Sequence, residues 1–147
     1  MNLFGPMFTP ALLLLAGGCA GTGLAFAVLL RHPGRHAHRV YAGMAAAVAV
    51  WSFGAGVAML SATDAVAWAA MAGAFAAASL FPALFYHFCA SFPDQRFEGI
   101  RVLDVLLCAG GAMLALGAFS PWFLAHVAAG QPPVVLYGPL FMAHVSL

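Results

Sequence analysis

The side chains of this 147-residue chain that could do chemistry are few: six His, three Cys, four acidic residues and five Arg, with no Lys. Hydrolysis or phosphoryl transfer would need a Gly-rich phosphate loop, an HExxH zinc helix, a nucleophile elbow or a pair of facing carboxylates, and the sequence contains none of these. No catalytic residue is assigned. Cys19, Cys89 and Cys108 lie in apolar stretches without CxxC or Cys/His ligand spacing. They read as small hydrophobes, and neither a metal nor another cofactor is expected. His32, His36 and His38 stand among Arg31, Arg35 and Arg39, a basic stretch suited to lipid headgroups; a metal site is the competing reading there. His87, His126 and His144 fall in or near apolar runs. Haem-binding bundles pair His across facing helices, and of these three only His126 and His144 would share a depth. An ionisable group inside a membrane-length run is a functional candidate on energetic grounds, which keeps His87 and His144 of interest.

The elements that position these groups must be built for lipid. Hydrophobic residues make up 65% of the chain and charged residues 6%, against roughly 25% charged in a soluble domain. A helix crosses the hydrocarbon core with about 20 apolar residues. Runs of that kind cover residues 8–30, 40–62, 65–92 and 102–119, and a fifth apolar run starts near Val134, its helical part spanning 138–147. The expected fold is therefore all-α: a polytopic transmembrane helix bundle of four complete spans plus the start of a fifth, forming one domain over residues 1–147. From Pro139 a helix of about 1.5 Å per residue would end inside the bilayer with unsatisfied carbonyls. A piece of a longer protein is expected in preference to a re-entrant segment. Leu15-Ala16-Gly17-Gly18-Cys19 looks like a lipoprotein cleavage box and Ala25-Phe26-Ala27 like a signal cleavage site. However, no basic residue precedes the first apolar run, so the run reads as a retained helix.

All five Arg fall in alternate loops: three between Arg31 and Arg39, two between Pro93 and Arg101. The positive-inside rule then places the N-terminus outside and the Arg loops in the cytoplasm, as expected for a multi-pass protein of a bacterial inner (plasma) membrane. Asp94, Glu98 and Asp104 interleave with Arg96 and Arg101, and Asp104 suits a helix N-terminus. Tyr41 and Tyr86 belong to the inner aromatic belt; Trp68, Trp122 and Tyr137 belong to the outer one. Trp51 sits mid-span, either as a core indole bonded to a neighbouring helix or as a pocket wall. Gly17, Gly21 and Ala25 form one small-residue row for close helix packing. Ala70, Ala74 and Ala78 form another, and Ala69, Gly73 and Ala77 a third, which suits a third helix with neighbours all round. Pro82 and Gly110-Gly111 are expected weak points in the third and fourth helices.

One stretch carries more information: Leu80-Phe81-Pro82-Ala83-Leu84-Phe85-Tyr86-His87-Phe88-Cys89-Ala90-Ser91-Phe92-Pro93-Asp94. Physically it is an aromatic-anchored helix end followed by a Phe-Pro stop. Its His-Phe and Phe-Pro ending resembles the N-terminal seven-helix sensor region of bacterial membrane histidine kinases, a region also found on diguanylate cyclases and related signalling proteins. An Arg-rich first loop leading into a helix with a central Trp (Val50-Trp51-Ser52) fits this resemblance. So does a Tyr137-Gly138-Pro139 element opening the fifth helix. The resemblance covers helices one to five; helices six and seven, a phosphoacceptor helix and an ATP-binding domain are not in the sequence. None of the six His is carried over as a phosphoacceptor, so kinase activity would require a further C-terminal domain.

The function expected on this basis is a membrane-embedded sensory input region of a two-component signal-transduction protein. Its partners would be the lipid bilayer and a cytoplasmic output domain, in cis or as a separate subunit. A homodimer is implied by the resemblance alone, and no nucleic acid is expected. By position, Trp51, Trp122, His126 and Tyr137 would face the signal. Tyr86, His87, Phe92 and Pro93 would form the coupling end of helix three. A small integral-membrane subunit of a transporter or other membrane complex is the alternative from another class.

Overall fold

A computed structural model describes residues 8–31, 34–90, 101–129 and 133–141. Four α-helices come first: α1 (Phe8–Arg31), α2 (His36–Leu60), α3 (Asp64–Ala90) and α4 (Arg101–Gly117). Helices α1, α2 and α3 have 24, 25 and 27 residues and are long and apolar enough to cross a membrane. At about 1.5 Å per residue, each exceeds the ~30 Å hydrocarbon core. Helix α4 is shorter, with 17 residues. Its expected run to residue 119 stops at Gly117 because the chain tightens there: Phe119 and Ser120 bond back to the carbonyls of Leu116 and Gly117, three residues away.

Short connections force the helices to run antiparallel. Ser61 ends α2, its hydroxyl donating to the Val57 carbonyl at 2.7 Å, and α3 begins three residues later with Asp64 in its first turn. Side-chain register follows from this. Near the hairpin end of the molecule, Gly54 of α2 packs on Ala70 and Ala74 of α3, while toward the other end Gly43 lies under Leu84 and Tyr41 meets Phe88 at 5.8 Å. Helix α1 lies on α2 in the same manner, Gly21 against Ala45 and Ala49, Gly56 against Leu15. Helix α4 lies on α3 through Gly111, whose Cα faces the Ser79 carbonyl. Neighbours in space are thus neighbours in sequence, α1–α2–α3–α4 in a row. Among the described residues, α3, expected to have neighbours all round, has α2 on one flank, α4 on the other and a hairpin at its N-terminal end. Leu80, Phe81 and Phe85 of α3 remain exposed. Helix α3 continues through Pro82 to Ala90.

The all-α expectation needs one amendment. After α4 the chain forms an antiparallel pair, β1 (Leu124–Ala128) and β2 (Val134–Tyr137). Val134 therefore opens a strand and not a fifth helix; helical conformation resumes at Pro139 and is described to Phe141. The residues between the strands, Ala129-Gly130-Gln131-Pro132-Pro133, include Gly and Pro, types that favour turns. The ladder pairs Leu124 with Tyr137 but His126 with Leu136, leaving Ala125 as an extra residue, the signature of a β-bulge. A two-stranded ribbon has two unpaired edges, which only water or protein can satisfy. Those unpaired edges limit where the hairpin can sit relative to lipid. The hairpin is seated on a buried core: Ala67, Ala72, Ala118, Phe123, Leu124 and Val127 form one buried cluster. Among the described residues, Leu124 and Val127 are the largest side chains shut off completely.

Candidate functional site

Two groups of polar and aromatic side chains stand at opposite ends of α3. At the N-terminal end, Asp64 and Trp68 are four residues apart and so share a helix face. The Trp68 indole N–H donates to the Leu124 carbonyl at 3.1 Å. The Ala129 amide donates to Asp64 Oδ1 at 2.7 Å, while Asp64 Oδ2 lies 3.8 Å from His126 Nε2. These contacts clamp both ends of β1 onto α3. Phe75, Phe123, Tyr137 and Phe141 fill the space behind the strands. Phe75 meets the other three rings edge-on, with centroids 5.8–6.1 Å away, the arrangement favoured by aromatic quadrupoles. Tyr137 stacks on Phe141 at 3.8 Å.

Three of the four expected signal-facing residues meet here. Trp122, in the turn before β1, is 64% exposed. His126 is on β1 and Tyr137 ends β2. The Tyr-Gly-Pro element has a clear steric role: the Gly138 amide donates to the Phe123 carbonyl at 2.8 Å, the Leu140 amide to the Trp122 carbonyl at 3.0 Å, and a Cβ on Gly138 would collide with the Trp122 carbonyl. Trp51 stands apart, halfway along α2 and 44% exposed. With Ala47, Val48, Ala77, Ala78 and Phe81 it lines an apolar groove of about 240 Å³ between α2 and α3. A larger groove of about 530 Å³ runs between α1 and α2, apolar except for Thr22 and Arg39.

At the other end of α3, His87 Nε2 lies 2.8 Å from Asp104 Oδ1 of α4. Cys108 Sγ lies 3.4 Å from the same nitrogen and 3.9 Å from the same carboxylate oxygen. Tyr86 meets the His87 ring edge-on at 6.2 Å. Phe92 and Pro93, the remaining expected coupling residues, lie outside the described residues, as does His144. Read from sequence, Cys108 is apolar filler and Asp104 a helix-start anion; in the fold both face His87. A nitrogen, an oxygen and a sulfur donor thus come within 4.8 Å of one another. Sequence spacing missed this group because His87 and Cys108 are on different helices. The one signal that could have found it was the four-residue interval between Asp104 and Cys108, which puts both on one face. The contacts of Asp64, Trp68 and Phe75 are invisible to local spacing for the same reason: their partners follow more than forty residues later.

A family model described as the N-terminal 7TM region of histidine kinase matches residues 13–147. No curated protein and no solved structure matches the chain.

Proposed function

The chain belongs to the family of N-terminal 7TM regions of histidine kinases, and from that premise we propose that this membrane sensory input region serves a bacterial histidine kinase and passes its signal to a cytoplasmic output domain. The observation that carries the reading is the span of α3. One continuous 27-residue helix is bonded to the hairpin at its first turns, through Asp64 and Trp68, and to α4 near its last turn, through His87. A packed helix held at both ends moves as a unit. A ligand that shifts the hairpin on its seat therefore changes the α3–α4 contact on the opposite side of the bilayer.

In this reading Trp122, His126 and Tyr137 face the signal at the outer surface, and Trp51 faces it from the groove within the membrane. Tyr86, His87, Phe92 and Pro93 form the coupling end. The hairpin is outside the cell; the end bearing Arg31, Arg35, Arg39 and Arg101 is cytoplasmic and the N-terminus outside, in an inner membrane. Support comes from the basic residues gathered at one end and from the water-requiring strand edges at the other.

The test uses the complete reading frame in proteoliposomes, with ATP-dependent autophosphorylation as readout. His126→Ala and Trp122→Ala should change the response to the cell's natural stimulus by several-fold and leave the protein folded by circular dichroism. A reading frame that encodes no phosphotransfer domain, together with copurification of a fixed partner in equal amount, would move the assignment to a membrane-complex subunit.

A further inference from the structure

We propose that His87, Asp104 and Cys108 form a binding site for a divalent zinc ion at the arginine-bearing end of the α3–α4 seam. The donor atoms stand in a triangle within about half an ångström of the needed size on every edge. Zinc holds nitrogen and oxygen ligands at about 2.0–2.2 Å and sulfur at about 2.3 Å, so tetrahedral donors lie roughly 3.3–3.6 Å apart. The three separations here are 2.8, 3.4 and 3.9 Å. Opening the shortest by about half an ångström and closing the longest by about 0.3 Å admits the ion.

Donor chemistry selects the class of ion. Calcium and magnesium take all-oxygen sites, whereas an imidazole, a thiol and a carboxylate together suit zinc and its borderline neighbours. Charge selects the valence. Cys108 binds as thiolate, its proton passing to solvent, and Asp104 binds as carboxylate; with a neutral His87, a dication brings the group to zero net charge. That balance matters because the site lies in the last turn of α3 and the first two turns of α4, at the edge of the apolar spans, where an uncompensated charge is costly. The His87 and Asp104 side chains are 34% and 36% exposed. Three protein ligands leave the fourth position for water or an incoming group. An ion here would also staple α3 to α4, independently of whether an output domain follows.

The test uses the whole chain in detergent or nanodiscs, with Zn²⁺ and Co²⁺ as probes. In wild-type protein, Zn²⁺ should slow alkylation of Cys108 by N-ethylmaleimide at least about tenfold, because the ligated thiolate is withdrawn from reaction, and leave Cys19 and Cys89 unchanged. Peptide mass spectrometry distinguishes the three thiols. Co²⁺ should give a thiolate charge-transfer band at one equivalent, lost in Cys108→Ala. His87→Gln and Asp104→Asn should each weaken Zn²⁺ binding by more than the roughly 10–100-fold that follows loss of a group merely supporting a ligand. Equal alkylation of Cys108 with and without Zn²⁺ overturns the assignment, as does equal slowing at all three cysteines. A cobalt band that survives Cys108→Ala does the same. The alkylation measurement needs no substitution, so it decides the question even where a variant fails to fold.

Discussion

At Gly138 the chain passes so close to the turn before β1 that no side chain fits against the Trp122 carbonyl. The obstruction is backbone, which two flanking hydrogen bonds hold in place, so it cannot be relieved by a rotamer change. Gly138→Ala should therefore lower hairpin stability by about 1–3 kcal/mol, the usual cost of overpacking. Thermal unfolding followed by tryptophan fluorescence reads this directly, since Trp68 and Trp122 both lie at the hairpin; an unchanged midpoint would show that the ladder yields. The residue scale is also where legibility was most uneven. Trp122, His126 and Tyr137 all lie on the hairpin or the turn before it, but Tyr137 stacks on Phe141 behind the strands. Trp68 was assigned to the aromatic belt, but its carbonyl partner Leu124 lies 56 positions along the chain. Asp64 closes the end of β1 through Ala129, 65 positions along the chain.

Between elements, small residues set the approach. The row Gly17, Gly21 and Ala25 does line α1 where it meets α2: Gly21 rests on Ala45 and Ala49, and Ala25 is buried. The row through Gly73 behaves differently, because Gly73 meets nothing within 4 Å although Ala77 is buried. The closest glycine contact between helices is at Gly54, whose missing Cβ lets the Ala70 carbonyl and Ala74 into contact. Van der Waals contact is what holds helices together in lipid, so these two glycines should respond oppositely. Gly54→Val should separate α2 from α3 at a cost of about 1–3 kcal/mol. Gly73→Ala should be neutral or stabilise by up to about 1 kcal/mol, through helix propensity alone. Resistance of the purified protein to heat in detergent ranks the two, and equal losses would mean that α2 and α3 do not pack in this register. Four-residue spacing of small side chains marks the faces that can pack but leaves open which face meets which helix.

For the whole molecule, the charge distribution and the hairpin divide the chain into two unlike ends. Arg31, Arg35 and Arg39 flank the α1–α2 connection and Arg101 opens α4, while Asp64 and the strands occupy the other end. If the basic end faces the cytoplasm, a cysteine introduced as Ala62→Cys in a chain otherwise free of Cys should react with a membrane-impermeant maleimide in intact cells. Gly34→Cys should react only after lysis. The reverse pattern would invert the orientation. Between these ends the helices form a row, and the outward faces of α1 and α4 carry exposed Leu13, Phe26, Leu30, Val105, Met113 and Leu116, as expected for surfaces that meet lipid or further helices.

Some of this architecture is local, and local properties are readable from sequence. The solvent follows from composition; the existence of α1, α2 and α3 follows from apolar run length, although α2 begins at His36, inside the basic stretch and ahead of its apolar run; the shared end of Arg31, Arg35, Arg39 and Arg101 follows from counting Arg in alternate loops. Tertiary structure decided the rest. In a chain this apolar, lipid-facing and packing faces carry the same residue types, so hydrophobic periodicity gives no register. A short apolar run such as Val134–Tyr137 is as compatible with a strand as with the start of a helix. The hairpin, its seat on Ala67 and Ala72, and the meeting of His87 with Asp104 and Cys108 all depend on contacts between distant segments. Those contacts are settled by which small residues let two backbones approach and by where the unpaired edges of the ribbon can find water.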